Sequence, residues 1–216
     1  MQRVAVVDYG GSNLRSVAKA VEVAADGQHT VQITDRAVDL LSADRVVFPG
    51  QGAIGDCMRR LHARGLVDTL RECLRTRPFF GICLGLQSLM ALSDEDGGTP
   101  CLDVYAGSVQ RFPADAGPAP DGSPRKIPHM GWNEVIWAKP HPITAGIESG
   151  TRFYFVHSYY VVPQATDLVM GYTDYIDRFV SALASGTVFA TQFHPEKSAA
   201  AGLHLLKNFL AWEGGD

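Results

Sequence analysis

One cysteine of the chain stands between two glycines, in the stretch Gly81-Ile82-Cys83-Leu84-Gly85. The apolar run before it predicts a buried strand, and the apolar spacing after it predicts a helix. A Gly-x-nucleophile-x-Gly elbow has this setting, because the glycines let the backbone turn sharply and expose the central side chain. The positive end of the helix favours thiolate over thiol, and nearby backbone N–H groups can receive an oxyanion. A small buried cysteine explains the local pattern about equally well.

A cysteine nucleophile needs a base, and the chain has seven histidines. The stretch "TVFATQFHPEKS" ends a predicted strand at His194-Pro195-Glu196. Proline keeps the residue before it extended, and residues two apart in an extended chain point to the same side. Glu196 is therefore placed to orient the imidazole of His194, as the third group of a nucleophile, base and orienter set. Helix capping by the Pro-Glu pair is the alternative.

The other histidines carry a weaker signal. We expect surface or core-edge positions for His29, His62 and His204, and the sequence assigns no role to His129, His141 or His157. Gln87 lies four residues past Cys83, on the same helical face, where its amide could hold a polar substrate. A solvent-facing glutamine is the alternative.

The elements that must position these residues follow an alternating pattern. The apolar run Val4 to Val7 is followed by apolar residues at helical spacing from Leu14 to Val21, with Ser12 or Asn13 as a possible cap. The pattern recurs after Arg45 to Gly50 and around the cysteine. Alternating strands and helices predict a parallel sheet with helices on its faces, and active sites of such sheets form at the carboxyl ends of the strands.

From about Val104 the chain changes to strand-like segments: "YAGSVQRF", "NEVIW", "RFYFVHSYYVV", "LVMGYT" and "TVFATQF". We expect antiparallel strands that continue the sheet. The stretch Pro113 to Arg125 predicts a long surface loop, and "GLHLLKNFLAWE" predicts a helix that packs back on the sheet.

Composition limits the function classes. With 216 residues, 46% of them apolar and 19% charged, the chain is typical of a globular protein, and we expect one domain over residues 1–216. The net charge of −4 comes from interspersed acids and bases, which indicates small-molecule or protein partners rather than nucleic acid or membrane. Four separated cysteines without a Cys-x-x-Cys pair predict neither a disulfide framework nor a zinc site. Met1 leads into an apolar run without a cleavage site, which indicates a mature cytoplasmic protein.

The motifs "GICLGLQ" and "FHPEKS" resemble those of the class I (triad) glutamine amidotransferases, and the likeness runs over nearly the whole chain. The stretches "DYGGSNLRSV", "FPGQGAIGDCMRRLHARGL", "PHMGWNEV" and "YFVHSYY" are similar to the family of glutaminase subunits of imidazole glycerol-phosphate synthase, from histidine biosynthesis. The resemblance implies an α/β fold: a single-domain open mixed sheet flanked by helices, with a nucleophile elbow and flavodoxin-like topology.

The resemblance also implies roles for residues. Cys83 would attack the carboxamide of glutamine, His194 would transfer protons, Glu196 would hold the imidazole, and a thioester would form. The oxyanion would meet the backbone N–H groups of Leu84 and Gly52. The positions expected to bind substrate are Gly50, Gln87, Glu95, Ser158 and Tyr159. No metal or other cofactor is implied.

The implied partner is a cyclase subunit with a (β/α)₈ barrel, joined in a heterodimer, which receives the ammonia. The positions expected to face this partner are Asn13, Trp132, Tyr154 and Lys197, and a core aromatic is an equally supported reading of Trp132. Two loops depart from the family pattern: Ser12 stands where glycine is frequent, and Gln51 stands where valine is frequent.

Three other functions remain open. The chain could be the small subunit of another synthase, such as anthranilate or aminodeoxychorismate synthase, although "PHMGWN" and "DYGGSN" argue against this. It could be a free-standing γ-glutamyl hydrolase, which would be active without a partner. A non-catalytic binding module is disfavoured because Cys83, His194 and Glu196 are all present.

Overall fold

The computed structural model describes residues 1–113, 117 and 126–215. Within them the α-helices are α1 (Leu14–Ala25), α2 (Ala37–Ser42), α3 (Ile54–Ala63), α4 (Val67–Thr76), α5 (Leu84–Gln87) and α6 (Ala199–Ala211). The strands are β1 (Gln2–Val7), β2 (His29–Thr34), β3 (Arg45–Gly50), β4 (Phe79–Cys83), β5 (Met90–Ser93), β6 (Thr99–Pro100), β7 (Tyr105–Arg111), β8 (His129–Glu134), β9 (Ile136–Trp137), β10 (Arg152–His157), β11 (Tyr159–Pro163), β12 (Val169–Asp174), β13 (Arg178–Ser185) and β14 (Val188–Thr191). The expected loop Pro113 to Arg125 lies outside the described residues, except for Pro113 and Gly117.

The main sheet is mixed, with the order β2-β1-β3-β4-β14-β13-β11-β7-β5-β6, and β12 pairs with β13 off this path. The first five strands of this order are parallel, and β14 meets β13 antiparallel. The carboxyl ends of β4 and β14 therefore lie side by side at one edge, where open α/β sheets build their sites. The predicted α/β fold with an open mixed sheet is confirmed.

The helices cover both faces of the parallel half. Alternate residues of β1 point to opposite faces: Val4 and Val6 pack with α1 and α6, whereas Ala5 and Val7 pack with α2, α3 and α4. Each of these four residues is buried, so β1 is apolar on both faces. No helix among the described residues is long and apolar enough to cross a membrane.

The second half differs from the expectation in two respects. The segment read as one strand, "RFYFVHSYYVV", breaks at Ser158 into β10 and β11, which belong to different sheets. Strands β8 and β10 form a separate antiparallel pair instead of continuing the main sheet. Phe153 and Phe155 of β10 are fully buried and lie 4.2 and 5.7 Å from the ring of Phe193, so this pair covers the main sheet as a helix would.

The second difference concerns β14. As expected, it pairs antiparallel with β13, but on its other side it pairs parallel with β4, in the register Thr191↔Ile82. The alternation of apolar residues along a strand shows which face of the strand is buried. It does not show which strand pairs with it, so the pairing of β14 with β4 could not be predicted from the alternation.

Candidate active site

Cys83 ends β4 at a sharp turn into α5. Its backbone has φ 54° and ψ −102°, a conformation that costs a non-glycine residue about 1–3 kcal/mol. Gly85 permits the turn, because a Cβ there would lie 2.0 Å from the backbone oxygen of Phe48 on β3. The one-turn helix α5 therefore sits directly against β3, and the thiol stands at its first turn. The predicted elbow geometry is present.

His194 and Glu196 follow β14, the parallel neighbour of β4. His194 Nδ1 lies 2.8 Å from Glu196 Oε1, and both side chains have no exposed surface. Asn13, immediately before α1, donates its amide to the same carboxylate oxygen at 3.1 Å. Nε2 of His194 is buried and has no hydrogen-bond partner among the described residues. Because the Nδ1–H group donates its hydrogen bond to Glu196, Nε2 is the nitrogen left to exchange a proton with the thiol or a substrate.

Electrostatics favour a charged imidazole. Burial lowers the pKa of His194, but the neighbouring Cys83 sulfur and the Glu196 carboxylate outweigh burial and raise that pKa to about 10. A protonated imidazole next to a cysteine sulfur supplies the positive charge that stabilises the reactive, anionic form of a cysteine nucleophile. The arrangement thus supplies a nucleophile, a proton carrier and an orienting carboxylate.

A cavity of about 500 Å³ opens over the thiol. Among the residues singled out from the sequence, its walls contain Gly52, Cys83, Leu84, Gln87, Glu95, Ser158, Tyr159 and Lys197. Gly50 is buried behind the wall, since a Cβ there would lie 2.6 Å from the Cβ of Leu84. Its fit against α5 gives Gly50 a structural reason to be glycine, and its expected contact with substrate stays a prediction.

The loop after β3 is held by two side chains of the first loop. The backbone N–H of Gln51 donates to Tyr9 Oη at 3.2 Å, and Ser12 Oγ donates to Gln51 Oε1 at 3.1 Å. Ser12 and Gln51, the two residues that depart from the family pattern, therefore contact each other. With the Gln51 N–H bound to Tyr9, Leu84 and Gly52 remain the expected oxyanion donors, and both line the cavity.

Glu95 borders the cavity but also binds the protein. Its Oε2 accepts the backbone N–H of Ile54 at 2.7 Å, at the first residue of α3. Burial raises the pKa of Glu95, and the hydrogen bond from Ile54 opposes this rise. The carboxylate therefore supports a helix start in addition to its expected contact with a substrate.

Comparisons with known proteins place the chain in a family. A family model described as glutamine amidotransferase class-I matches residues 5–212. The chain belongs to the class-I glutamine amidotransferase family. The imidazole glycerol phosphate synthase subunit HisH of Thiobacillus denitrificans is 52% identical to it over 213 residues, covering 99% of this chain and 92% of the relative. HisH of Aromatoleum aromaticum is 52% identical over 212 residues, covering 98% of this chain and 99% of the relative.

These relatives place the amidotransferase within the HisH family, as the motifs predicted. Solved structures show the same fold at low identity. A protein of Thermoplasma acidophilum described as a putative GMP synthase subunit matches with a TM-score of 0.70 at 20% identity, covering 98% of this chain and 93% of that chain. A second glutamine amidotransferase structure matches with a TM-score of 0.71 at 17% identity, covering 96% and 97%. The predicted class I amidotransferase fold is confirmed.

Three of the four positions expected to face a partner of the amidotransferase lie in one patch. Trp132 is 48% exposed, and its ring centroid lies 6.1 Å from that of Tyr154, its register partner on β10. Lys197 Nζ lies 5.8 Å from the Tyr154 ring centroid and also borders the cavity. Asn13 is only 7% exposed and lies beneath the surface, bound to Glu196. The interface assignment of all four stays a prediction.

Sequence reasoning missed several groups around the site. His157 is buried and lines the cavity, His129 is buried and hydrogen-bonded to His157, and Gln192 is fully buried next to Cys83. His129 and His157 fall within motifs used to recognise the family, but nothing in their spacing announces a role. Gln192 had a readable signal, because it lies two residues before His194 in a segment predicted to be a strand, a spacing that predicts the same side for both.

Proposed function

We propose that this amidotransferase hydrolyses glutamine to glutamate and ammonia through a thioester on Cys83. The observation that carries the proposal is the pairing of two adjacent parallel strands: β4 ends at Cys83, and β14 leads to the buried His194–Glu196 pair. A cysteine, a proton carrier and an orienting carboxylate are the set that acyl transfer from an amide requires.

In the proposed reaction the Cys83 sulfur attacks the side-chain carbonyl carbon of glutamine, and the carbonyl electrons move to oxygen. The N–H groups of Leu84 and Gly52 stabilise that oxyanion. His194 gives its Nε2 proton to the departing nitrogen, so that ammonia leaves and a γ-glutamyl thioester remains. His194 then takes a proton from water, which attacks the thioester, and glutamate leaves as the sulfur regains its electron pair. Glu196 holds the imidazole throughout.

The cavity supports this substrate. Its walls combine an amide, a hydroxyl and a carboxylate, from Gln87, Ser158 and Glu95, around the thiol. The carboxylate is matched to the α-ammonium of an amino acid, and hydrogen-bonding groups are matched to its amide and α-carboxylate. We infer that Tyr159 contributes to the same wall, with Gly50 shaping the loop behind it.

We further infer that the chain, as one domain over residues 1–216, passes its ammonia to a cyclase subunit. The support is the identity of 52% to subunits named as parts of imidazole glycerol phosphate synthase. The proposed partner is a (β/α)₈ barrel in a heterodimer, which makes imidazole glycerol phosphate and aminoimidazole carboxamide ribonucleotide. The exposed patch of Trp132, Tyr154 and Lys197 beside the cavity is the proposed contact, with Asn13 beneath it.

The test of the chemistry is glutamate release by Cys83→Ala. We expect no turnover above background in this variant, with unchanged folding by circular dichroism and unchanged binding to the cyclase subunit. Cys101→Ala is a matched control, because Cys101 is as buried as Cys83, at 6% exposure, and does not border the cavity. A Cys83→Ala protein that turns over glutamine at the parental rate would overturn the assignment of the nucleophile.

The same assay separates the possible partners. We expect low glutaminase activity from the chain alone and a large rise when the cyclase is added together with its nucleotide ligand. High activity that the cyclase leaves unchanged would favour a free-standing γ-glutamyl hydrolase. Stimulation by the large subunit of anthranilate or aminodeoxychorismate synthase, but not by the cyclase, would favour the other amidotransferase pathway.

A further inference from the structure

Gln192 is a fully buried polar residue directly beside the nucleophile. It lies one residue past β14, and its side-chain Nε2 is 3.4 Å from Cys83 Sγ. Its backbone N–H is already paired with Ser181 O on β13 at 2.9 Å, so the side chain is not needed to satisfy its own backbone. The catalytic steps set out above give this amide no role.

The orientation of the Gln192 amide is determined by the backbone carbonyl of Tyr159, through the side chain of Gln87 that lies between them. The backbone oxygen of Tyr159 can only accept a hydrogen bond, so the Gln87 atom 2.9 Å from it must be the NH₂ group. The same NH₂ group lies 3.1 Å from the Gln192 side chain, which must therefore present its oxygen there. The NH₂ group of Gln192 is then left to face the sulfur of Cys83 as a donor.

Two buried histidines hold that carbonyl in place. His157 Nδ1 lies 2.8 Å from Tyr159 O, so Nδ1 carries the proton and Nε2 accepts from His129 Nδ1 at 3.0 Å. At the far end, His129 Nε2 accepts from the side-chain amide of Asn133 at 3.2 Å. Burial lowers the pKa of His129 to about 4 and that of His157 to about 3, so both rings are neutral at pH 7. Every hydrogen bond in this series, from Asn133 to Cys83, therefore has one permitted donor and one permitted acceptor.

We propose that Gln192 is a further catalytic residue, whose side-chain amide donates a hydrogen bond to the Cys83 sulfur and stabilises its thiolate. Hydrogen bonds to charged groups are stronger than those to neutral groups, so the amide prefers thiolate to thiol. The inference rests on the proposed function, in which Cys83 is the nucleophile.

The contribution falls at two steps. Before attack, the donor holds the sulfur as an anion with its lone pair available to the substrate carbon. In the thioester the sulfur is neutral and the hydrogen bond weakens. When water has added and the carbon–sulfur bond breaks, the electron pair returns to sulfur and the Gln192 N–H receives the charge again. The same donor therefore favours the attacking group and the leaving group.

The test measures the sulfur without glutamine. Iodoacetamide alkylates a thiolate: the sulfur forms a bond to the CH₂ carbon, the carbon–iodine bond breaks, and iodide leaves. The rate of modification of the Cys83 peptide is measured by mass spectrometry on the full chain from pH 5 to pH 10. We expect Gln192→Glu to move the midpoint of this profile upward by at least about one pH unit. Once ionised, the new carboxylate keeps an acceptor for Gln87, has no proton for the sulfur and adds a negative charge beside it.

Gln192→Met removes donor and acceptor at similar volume, and we expect its midpoint to rise by about one pH unit, with kcat for glutamine lowered more than KM is raised. Gln110→Met is the matched control, because the Gln110 amide lies on β7 and, within the part of the chain that the structure describes, has Ser108 Oγ as its hydrogen-bond partner, at 3.2 Å. It should leave the midpoint in place. Thermal unfolding establishes that each variant is folded, and Gln192→Glu serves alone if the methionine variant does not fold.

The inference is overturned if folded Gln192→Glu keeps the wild-type midpoint, or shifts no more than Gln110→Met. Its failure is distinct from failure of the proposed function. If Cys83→Ala abolishes glutamine hydrolysis while the midpoint is unmoved in the Gln192 variants, the nucleophile stands and Gln192 is only a buried core amide. If Cys83→Ala still hydrolyses glutamine, the proposed function itself is wrong.

Discussion

The hydrogen bonds of Glu196 show what this carboxylate contributes. One oxygen, Oε1, accepts from His194 Nδ1 at 2.8 Å and from the Asn13 amide at 3.1 Å. An amide oxygen could accept both bonds, so Glu196→Gln can keep the position of the ring while it removes the negative charge that favours imidazolium. The charge and the geometry of this pair can therefore be separated by one substitution.

We expect Glu196→Gln to lower kcat for glutamine by roughly 10²- to 10⁴-fold, less than the loss caused by Cys83→Ala. The physical reason is that the variant removes the negative charge that stabilises the imidazolium but leaves the reacting sulfur. Steady-state glutamate release, with the cyclase subunit present, measures both variants side by side. Equal losses would contradict separate roles for Cys83 and Glu196.

At this scale the sequence was informative wherever contacts are local. The glycines around Cys83 and the two-residue spacing of His194 and Glu196 are short-range patterns, and the structure places these groups as the patterns predict. Asn13 lies 183 residues from Glu196 in the chain, and only the packing of α1 against the turn after β14 brings them together. No spacing rule reports such a contact.

Among the elements, helix α6 lies very close to the catalytic turn. A Cβ at Gly202 would lie 1.9 Å from the backbone oxygen of Pro195, the residue between His194 and Glu196. Gly202→Ala must therefore displace either the helix or the turn. We expect it to lower the free energy of unfolding by at least about 2 kcal/mol and to reduce kcat, because overpacking against backbone is not relieved by a side-chain rotation. Urea unfolding at 25 °C and glutamate release measure the two effects.

Gly55→Ala in α3 is the matched control. A Cβ there would lie 3.1 Å from the carboxylate oxygen of Asp96, which is the movable end of a side chain. Since alanine is the better helix former, we expect stability unchanged or higher by up to about 1 kcal/mol. A Gly202→Ala protein as stable as Gly55→Ala would show that the helix can move away from the turn without loss.

Strands and helices were predicted correctly where apolar residues repeat with a single period over several residues. The strands before the elbow and before His194, and the last helix, were all expected from apolar spacing. The pairing partners were not, because β8 and β10 have the same alternation as strands of the main sheet. They form a separate sheet because Phe153 and Phe155 pack against Phe193 and Phe179. These contacts exist only in the assembled core and cannot be read from the strand's own sequence.

For the whole molecule, the buried histidine pair makes stability depend on pH. Burial lowers the pKa of His157 to about 3, below the roughly 6.5 of an unfolded chain. As pH falls below 6.5, His157 of the unfolded chain binds a proton but the buried ring of the folded protein does not. The free energy of unfolding therefore decreases until the pH reaches the folded-state pKa of about 3. His194 acts in the opposite direction: its pKa is raised to about 10, so its contribution is lost as pH rises from 6.5 toward 10.

We expect His157→Gln to be less stable than the parent at pH 7, with this difference shrinking by about 2 kcal/mol at pH 5. The variant loses hydrogen bonds at both values of pH but no longer carries the ring that resists protonation. Urea unfolding at the two values measures the difference. His62→Gln, on an exposed face of α3, is the control and should show the same difference at both. A pH-independent difference for His157→Gln would mean that the folded state takes up the ring proton as readily as the unfolded state does.

The position of β14 also has a consequence for the protein while it is being synthesised on the ribosome. Strand β4 ends at residue 83, but its parallel neighbour begins only at Val188, so β4 is a sheet edge during synthesis of the intervening hundred or so residues. Edge strands with apolar faces invite pairing with other chains. A nascent chain or a product truncated before residue 188 therefore displays an open edge together with a cysteine that lacks its proton carrier. Such fragments are expected to aggregate, whereas in the full chain β14 covers that edge and also leads to His194, the proton carrier of the site.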